Sequence, residues 1–398
     1  MNQTKINARR NFLKYLAGSP LLAALPSMSV FSADADPSSS QLLDLISEAT
    51  DALDVFEFEA VAQRVLPPAH WGYLSGGLGD DGSIQANRDA FSKYYMRPRR
   101  LVGVENVDLS VELFGTRWDT PIILCPCGSQ GAYHPPGELA TAAAAREKGH
   151  LMILSTQSSN SVTDVAQVYD GPLWYQLYSQ TNFETTRGLV RKAEAAGCPV
   201  IVVTVDQIVF GNSDTQARLT RQDTRTCSNC HTGERKPNYD GLPQSTGLRA
   251  GLNWDIVGDL RSITDKKIVL KGIVTAEDAE RCLQHGVDGI IVSNHGGRSE
   301  TSNWGSLDSL PEVVQTIDGQ IPVLIDGGFR YGMDIFKALA LGADAICIGR
   351  PYLWGLAAFG QAGVEQVLQL LTHEFRMAIM SAGARSLEEI KPSHLGRV

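Results

Sequence analysis

The chain has 398 residues, enough for one large α/β domain or two ordinary ones. Apolar residues make up 43% and charged residues 20%, which is typical of a soluble globular protein that buries a sizeable core. The net charge is −9 and there is no basic stripe or tail, so the composition argues against a nucleic-acid partner.

The first 35 residues have the features of an export signal. Arg9 and Arg10 form a twin-arginine pattern, an apolar segment rich in Ala and Leu follows, and Ala33-Asp34-Ala35 resembles a cleavage site. The apolar segment is short and broken by proline, so we do not expect a membrane span; an N-terminal anchor that stays attached is the alternative. The pattern predicts export in the folded state to a bacterial periplasm, and it hints at a non-covalent cofactor.

Strand-like and helix-like segments alternate after the signal. Residues 36–52 are predicted to be a linker and the start of an N-terminal helix, and residues 53–398 to be one domain. Eight apolar runs lack polar alternation, as expected for strands that are covered on both faces. They are Ile122–Cys127, Leu151–Ser155, Leu173–Tyr178, Val200–Asp206, Ile268–Ile273, Gly289–Ser293, Pro322–Asp326 and Ala345–Gly349. With helical segments between most of them, they predict an α/β fold, a (β/α)8 TIM barrel. A doubly wound sheet is the alternative, although no GxGxxG motif follows the first run.

The fourth and fifth runs are separated by a long loop, from about Phe210 to Asn253, which we expect on the catalytic side of the barrel. The loop contains Cys227, Cys230 and His231 in a CxxCH pattern, which is the signature of covalent c-type haem attachment. A disulfide formed in an oxidising periplasm, a metal site that includes His231, and free thiols are the alternatives. No other metal site is predicted.

The segment GIIVSNHGGR, residues 289–298, is the most informative strand end. A short buried strand runs into an imidazole, two glycines and an arginine, and strand ends form the catalytic rim of a parallel barrel. His295 suits a general base at neutral pH, and Arg298 offers a planar fork that matches a carboxylate. For this segment alone, a polar turn after a core strand is the simpler interpretation.

Polar and small residues end the other runs as well. Gln176 and Tyr178 share one face of the third run, Thr204 and Asp206 share one face of the fourth, and Lys271 ends the fifth. The glycines and arginines that follow the seventh and eighth runs lie where a barrel places its phosphate site. They are Gly327, Gly328, Arg330, Gly349 and Arg350.

Together these motifs resemble the FMN-dependent 2-hydroxy-acid oxidases and dehydrogenases, which include glycolate oxidase, lactate oxidase, mandelate dehydrogenase and the flavin domain of flavocytochrome b2. The resemblance extends from about Phe56 to Leu395. The segments that carry it are NRDAF (87–91), RPR (97–99), QLY (176–178), TVD (204–206), LKGI (270–273), SNHGGR (293–298), DGGFR (326–330) and IGRP (348–351).

The resemblance implies that residues 53–398 bind FMN and oxidise an L-2-hydroxy acid, similar to lactate, glycolate or mandelate, to the 2-oxo acid. His295 would take the substrate proton while a hydride equivalent passes to flavin N5, and Asp206 would pair with the imidazolium. Tyr178 would hydrogen-bond the substrate oxygen and Arg298 would hold its carboxylate. Lys271 would stabilise the anionic reduced flavin. Relatives are often tetramers, and their electron acceptor is oxygen, a quinone or a cytochrome.

The resemblance also implies a set of cofactor contacts. The residues near the flavin ring or ribityl chain would be Pro126, Cys127, Gly128, Thr156, Gln176, Thr204, Ser293 and Asp326. The residues that hold the FMN phosphate would be Gly328, Arg330, Gly349 and Arg350.

Three positions depart from the family pattern. Gly72 and Ser213 stand where relatives have a tyrosine and an arginine that help to bind the substrate carboxylate, and Gln157 stands where an aromatic residue is common. The flavin site and the base are retained, but the contacts to a carboxylate are fewer. The same flavin chemistry on a modified peptide or an amine is therefore one alternative function. A haem- or metal-binding electron-transfer protein that uses the CxxCH loop is the other.

Overall fold

The computed structural model describes residues 45–206, 212–225, 236–249 and 251–398. Eight parallel strands form one sheet, in the order β4 (Ile122–Leu124), β11 (Ala345–Ile348), β10 (Val323–Asp326), β9 (Gly289–Val292), β8 (Lys267–Ile273), β7 (Val200–Thr204), β6 (Trp174–Leu177) and β5 (Ile153–Ser155). Leu124 and Met152 form a parallel bridge, and the amide of Leu124 donates to the carbonyl of Leu151 at 2.9 Å. These contacts join β4 to β5 and bring the sheet round into a ring, so the predicted (β/α)8 TIM barrel is confirmed.

The barrel strands coincide with the eight predicted apolar runs. Every residue of β7 and β9 is buried, because the barrel interior covers one face and the helices cover the other. Each fully buried aliphatic side chain contributes about 1.5–3 kcal/mol to the stability of such a core.

Twelve helices accompany the strands within the described residues. They are α1 (Val55–Val65), α2 (Pro68–Ser75), α3 (Gly82–Ser92), α4 (Glu138–Glu147), α5 (Val162–Tyr169), α6 (Phe183–Ala195), α7 (Asp214–Thr220), α8 (Asp255–Arg261), α9 (Ala276–Gln284), α10 (Ser306–Ile317), α11 (Gly332–Ala340) and α12 (Arg350–Ala382). Their starts follow the expected capping chemistry: the side chains of Asp54, Ser161 and Thr275 accept hydrogen bonds from the first-turn amides of α1, α5 and α9. Helix α12 is broken at Phe359–Gly360, where Gly360 has a φ of +61°.

A β-hairpin covers the amino-terminal end of the barrel. Its strands are β2 (Val111–Leu113) and β3 (Thr116–Trp118), and Phe114 and Gly115 at its turn both have positive φ, as a tight hairpin requires. The centroid of the Phe114 ring lies 5.4 Å from that of Trp174 at the start of β6. The carboxyl-terminal end of the strands is therefore the end at which a site can form. The remaining strands, β1 (Tyr94–Met96) and β12 (Leu395–Arg397), pair with each other outside the barrel.

Two sequence predictions fall outside the described residues. The export signal lies in residues 1–35, and Cys227, Cys230 and His231 lie between two described ranges, so both stay predictions. No helix in the described parts of the chain combines the length and apolarity needed to cross a membrane. In the same parts, no three His, Cys, Asp or Glu side chains are grouped to hold a metal ion.

Candidate active site

His295 lies in a left-handed turn that follows β9. The φ angles of His295, Gly296 and Gly297 are +58°, +65° and +82°. Glycine adopts this region freely, whereas a residue with a Cβ does so at a cost of about 1–2 kcal/mol. His295 is therefore held in an unfavourable backbone conformation by its surroundings, which is common at functional sites.

Asp206 and Tyr178 contact the two nitrogens of the His295 ring. Nδ1 lies 2.8 Å from Asp206 Oδ1, and Nε2 lies 3.5 Å from the Tyr178 hydroxyl. A carboxylate beside Nδ1 fixes the proton there, so the lone pair of Nε2 faces the tyrosine side of the site. Burial would raise the pKa of Asp206, but His295 and Lys271 outweigh it and hold the pKa below its usual range. Burial raises the pKa of Tyr178, so its hydroxyl remains a donor.

Lys271, two residues before the end of β8, completes this group. Its Nζ lies 3.1 Å from Asp326 Oδ2 and 4.0 Å from Asp206 Oδ2, and it donates to Ser293 Oγ at 2.7 Å. Burial would lower the pKa of Lys271, but Asp326 and Asp206 together raise it above its usual range. Four of the five predicted catalytic residues, His295, Asp206, Tyr178 and Lys271, therefore lie in one connected cluster of buried or half-buried side chains.

Gly272 allows Lys271 and Asp206 to approach each other. The pairing of β8 with β9 shifts register between Lys271 and Ile273, and Gly272 in between has a φ of +113°. A Cβ on Gly272 would lie 2.6 Å from the Cβ of Asp206. The local irregularity of β8 thus requires glycine, and sequence reasoning did not identify it.

The residues predicted to face the flavin ring form a hydrogen-bonded row across β5, β6 and β7. The side-chain amide of Gln176 donates to Thr204 Oγ1 at 2.9 Å, and its Oε1 accepts from the amide of Thr156 at 3.3 Å. The Thr156 hydroxyl donates to the carbonyl of Gln176. These hydrogen bonds hold the polar side chains at the carboxyl-terminal ends of β5, β6 and β7 in fixed positions.

A buried network that the sequence did not reveal supports Pro126–Gly128 at the end of β4. Gln130 Nε2 donates to the Cys127 carbonyl at 3.1 Å, and the amide of Gln130 donates to Glu138 Oε1 at 3.0 Å. Glu138 is the first residue of α4 and is fully buried. The hydroxyl of Tyr352 donates to the carbonyl of Cys125 at 2.8 Å on the other side. A glutamate that starts a helix is the only signal the sequence offers for this network.

Asn87 and Asn294 form a second support that was missed. Their side-chain amides bond each other at 2.9 and 3.1 Å, and Asn294 Oδ1 also accepts from the amide of Gly297. Both side chains are buried, and the pair ties α3 to the turn that carries His295. The available signal was Asn87 itself, because asparagine is a poor residue for a helix interior.

The predicted phosphate site gathers arginines at the ends of β10 and β11. Arg350 is the first residue of α12 and follows Gly349, the helix N-cap. The guanidinium of Arg330 lies 4.5 Å from the ring of Trp354 and donates to the Phe329 carbonyl at 2.8 Å. Burial lowers the pKa of Arg330 to about 10, which leaves it charged at neutral pH. Burial and the nearby positive charges of Arg298 and Arg330 lower the pKa of Arg350.

These residues fit FMN. The buried guanidinium of Arg330, the half-buried one of Arg350 and a helix N-terminus offer the charge and donors that a phosphate requires. Asp326 Oδ1 is a buried acceptor without a hydrogen-bond partner among the described residues, which suits a ribityl hydroxyl. Lys271 would offer a fixed cation to negative charge on a bound flavin. Gly328 also allows close packing against α3, because a Cβ there would lie 2.3 Å from the carbonyl oxygen of Asn87.

Arg298 has contacts away from the His295 ring. Its Nη2 donates to the carbonyls of Tyr73 and Leu74, and its guanidinium lies 4.8 Å from the Tyr73 ring centroid. The carboxylate-binding role of Arg298 thus stays a prediction.

The positions that depart from the family pattern have structural roles here. A Cβ on Gly72 would meet the Cβ of Leu219 at 3.0 Å, so this glycine lets α2 pack closely against α7. Ser213 Oγ accepts from the amide of Gln216 at 3.3 Å and caps α7. Gln157 Nε2 donates to the Tyr239 hydroxyl at 2.7 Å. None of the three adds a positive charge.

A cavity of about 330 Å³ lies beside the cluster. Its lining includes Asp206, Gly272, Ser293 and Asn294, together with residues of the 299–309 segment such as Trp304. Neither His295 nor Tyr178 belongs to its lining, so we do not assign it to the substrate.

Three comparisons with known proteins agree with this arrangement. The family model described as "FMN-dependent dehydrogenase" matches residues 62–397. Glycolate oxidase of Spinacia oleracea is 40% identical over 350 residues, covering 86% of this chain and 95% of that protein. L-lactate oxidase of Lysinibacillus sphaericus is 39% identical over 353 residues, covering 84% of this chain and 89% of that protein.

A solved structure extends the similarity to three dimensions. A soluble mutant of the membrane-associated (S)-mandelate dehydrogenase from Pseudomonas putida matches with a TM-score of 0.80 at 36% identity. The match covers 87% of this chain and 99% of that chain. The chain therefore belongs to the family of FMN-dependent dehydrogenases.

Proposed function

We propose that this protein oxidises an L-2-hydroxy acid, similar to lactate, glycolate or mandelate, to the corresponding 2-oxo acid, with His295 as the base. The observation that carries the proposal is the cluster in which Asp206 contacts His295 Nδ1 and lies near Lys271, while the Tyr178 hydroxyl faces His295 Nε2. Relatives named glycolate oxidase, L-lactate oxidase and (S)-mandelate dehydrogenase support this substrate class.

Each residue of the cluster has a task in this reaction. The proton of the C2 hydroxyl passes to His295 Nε2, and Asp206 stabilises the imidazolium that forms. The Tyr178 hydroxyl donates to the substrate oxygen. FMN, when bound, would supply the two-electron redox chemistry for transfer of the hydride equivalent from C2. The positive charge of Lys271 stabilises the negative charge that this transfer creates.

Anaerobic mixing with candidate substrates tests the proposal. We expect L-lactate, glycolate or (S)-mandelate to bleach the flavin absorbance of the FMN-loaded protein. Because Gly72 and Ser213 are uncharged and Arg298 contacts Tyr73 and Leu74, we expect half-saturation above about 1 mM, the upper end of the usual range. Bleaching by an amine or a modified peptide but by no 2-hydroxy acid would favour the alternative substrate. A haem Soret band without substrate reduction would favour the electron-transfer alternative.

We also propose that residues 1–35 export the folded protein to the periplasm. The support is the twin-arginine pattern at Arg9 and Arg10 followed by an apolar segment. We expect replacement of both arginines by lysine to leave the FMN-loaded protein in the cytoplasm, as cell fractionation measures. Periplasmic recovery of that variant would contradict the assignment.

The resemblance further supports a homo-oligomer, which we propose is a tetramer, and an electron acceptor that is oxygen, a quinone or a cytochrome. Light scattering measures the mass of the assembly. Reoxidation of the reduced protein by each acceptor in turn identifies the one used.

A further inference from the structure

The guanidinium of Arg350 connects three segments of backbone. Nε donates to the carbonyl of Leu74 at 2.9 Å, Nη1 to that of Gly296 at 2.8 Å and Nη2 to that of Gly76 at 2.9 Å. A guanidinium has five N–H donors, so these bonds leave one N–H on each terminal nitrogen. Two such donors in one plane are what a bidentate phosphate contact uses.

One of the three carbonyls belongs to the left-handed turn that carries the base. Gly296 directly follows His295, and a Cβ on Gly296 would lie 3.1 Å from Arg350 Nη1. The amide of Leu78 donates to the carbonyl of Gly297 at 2.8 Å, so the segment held by Arg350 through Leu74 and Gly76 also bonds the turn directly.

The hydrogen bond from Arg350 to Gly296 helps to explain why the unfavourable backbone conformation of His295 persists. His295 has a φ of +58°, and such a residue stays in place only where its neighbours over-determine it. Hydrogen bonds from a charged donor are stronger than those between neutral groups, and the guanidinium fork fixes direction as well as distance. Arg350, a charged residue that follows β11, makes such a hydrogen bond to the carbonyl of Gly296 in the turn that follows β9.

We propose that Arg350 is a positioning residue for His295: the side chain that faces the predicted FMN phosphate also holds the turn that aims the imidazole. The inference rests on the proposed function in treating His295 as the base. It goes beyond a phosphate-binding role, because it makes one guanidinium responsible for both cofactor binding and base orientation.

Backbone amide exchange tests the inference without any substrate. In the FMN-saturated protein, Arg350→Lys keeps the charge but cannot bond three carbonyls in a plane. We expect the amides of Leu78 and Gly297 to exchange about tenfold faster or more in this variant, the ratio that one charged hydrogen bond represents. Arg376→Lys is the matched control, because Arg376 donates to the Val107 carbonyl elsewhere on α12 and should leave both amides unchanged. Equal exchange in Arg350→Lys and the parent, or equal acceleration by the control, overturns the inference.

Flavin reduction provides a second readout. With FMN saturating and a 2-hydroxy acid as reductant, we expect the flavin of Arg350→Ala to be reduced about tenfold or more slowly than that of the parent. Added guanidinium ion should restore part of the loss. If the variant needs a higher FMN concentration for saturation but its bound flavin is then reduced at the parental rate, the inference is contradicted. If no 2-hydroxy acid reduces even the parent, the proposed function fails, and the amide exchange result still decides the role of Arg350.

Discussion

Replacement of His295 by glutamine is expected to leave FMN bound and to slow flavin reduction by a 2-hydroxy acid by about 10²–10⁴-fold, the range that a general base contributes. Glutamine can hydrogen-bond Asp206 or Tyr178, but it has no group that accepts a proton near neutral pH. The measurement is stopped-flow absorbance of the FMN-loaded variant under anaerobic conditions, with the cofactor content checked first.

His285→Gln is the matched control for this variant. His285 is exposed and stacks on Trp254 with 5.2 Å between the ring centroids; it ends α9 before β9 begins, whereas His295 follows the other end of β9. Its replacement should leave the reduction rate unchanged. If the flavin of His295→Gln is also reduced at the parental rate, His295 is not the base, whatever the substrate.

Replacement of Lys271 by methionine is expected to lower the free energy of unfolding of the apoprotein by about 3–5 kcal/mol, because it leaves Asp206 and Asp326 buried without their shared cation. Denaturant unfolding measures the change. Lys267→Met is the control: Lys267 pairs with Asp288 at 3.1 Å but its side chain is 52% exposed, so its loss should cost about 1 kcal/mol or less.

The effect of Lys271→Met should depend on pH with a definite sign. The folded-state pKa of Asp206 is held below the unfolded value by His295 and Lys271, so its ionisation stabilises the parent above about pH 4 and this contribution is lost as pH falls further. The difference between parent and variant should therefore be largest at neutral pH and shrink in acid. Adding Asp326→Asn should recover part of the loss. A variant as stable as the parent at pH 7 would falsify the assigned role of the ion pairs.

The barrel could be predicted because strands buried on both faces have a simple sequence signature. Val200–Thr204 and Gly289–Val292 are apolar throughout, and both are fully buried in the structure. The convergence of His295, Asp206 and Lys271 followed from the rule that parallel strands in a barrel end at one rim.

Other features depend on contacts between residues that are far apart in the chain. Gln130 and Tyr352 meet across 222 positions, and Arg350 bonds Leu74 across 276. Neither pair has a local pattern that a sequence displays. Gly272 was missed for a different reason, since its need for a positive φ arises only when β8 lies against Asp206.

The interpretation of Gly72 and Ser213 changes most in three dimensions. In the sequence they are losses from a carboxylate site, whereas in the structure Gly72 admits Leu219 and Ser213 caps the same short helix, α7. A tyrosine at position 72 would have to displace α7, so the two differences belong to one local arrangement of α2 and α7. Arg298 is then the remaining arginine of the predicted carboxylate site.

A single-turnover experiment tests the central claim most directly. The FMN-loaded protein is mixed without oxygen with excess L-lactate, glycolate or (S)-mandelate, and both reduced flavin and 2-oxo acid are quantified. We predict one molecule of 2-oxo acid for each flavin reduced with at least one of the three acids. Full retention of oxidised flavin with all three, and no 2-oxo acid, would contradict the account.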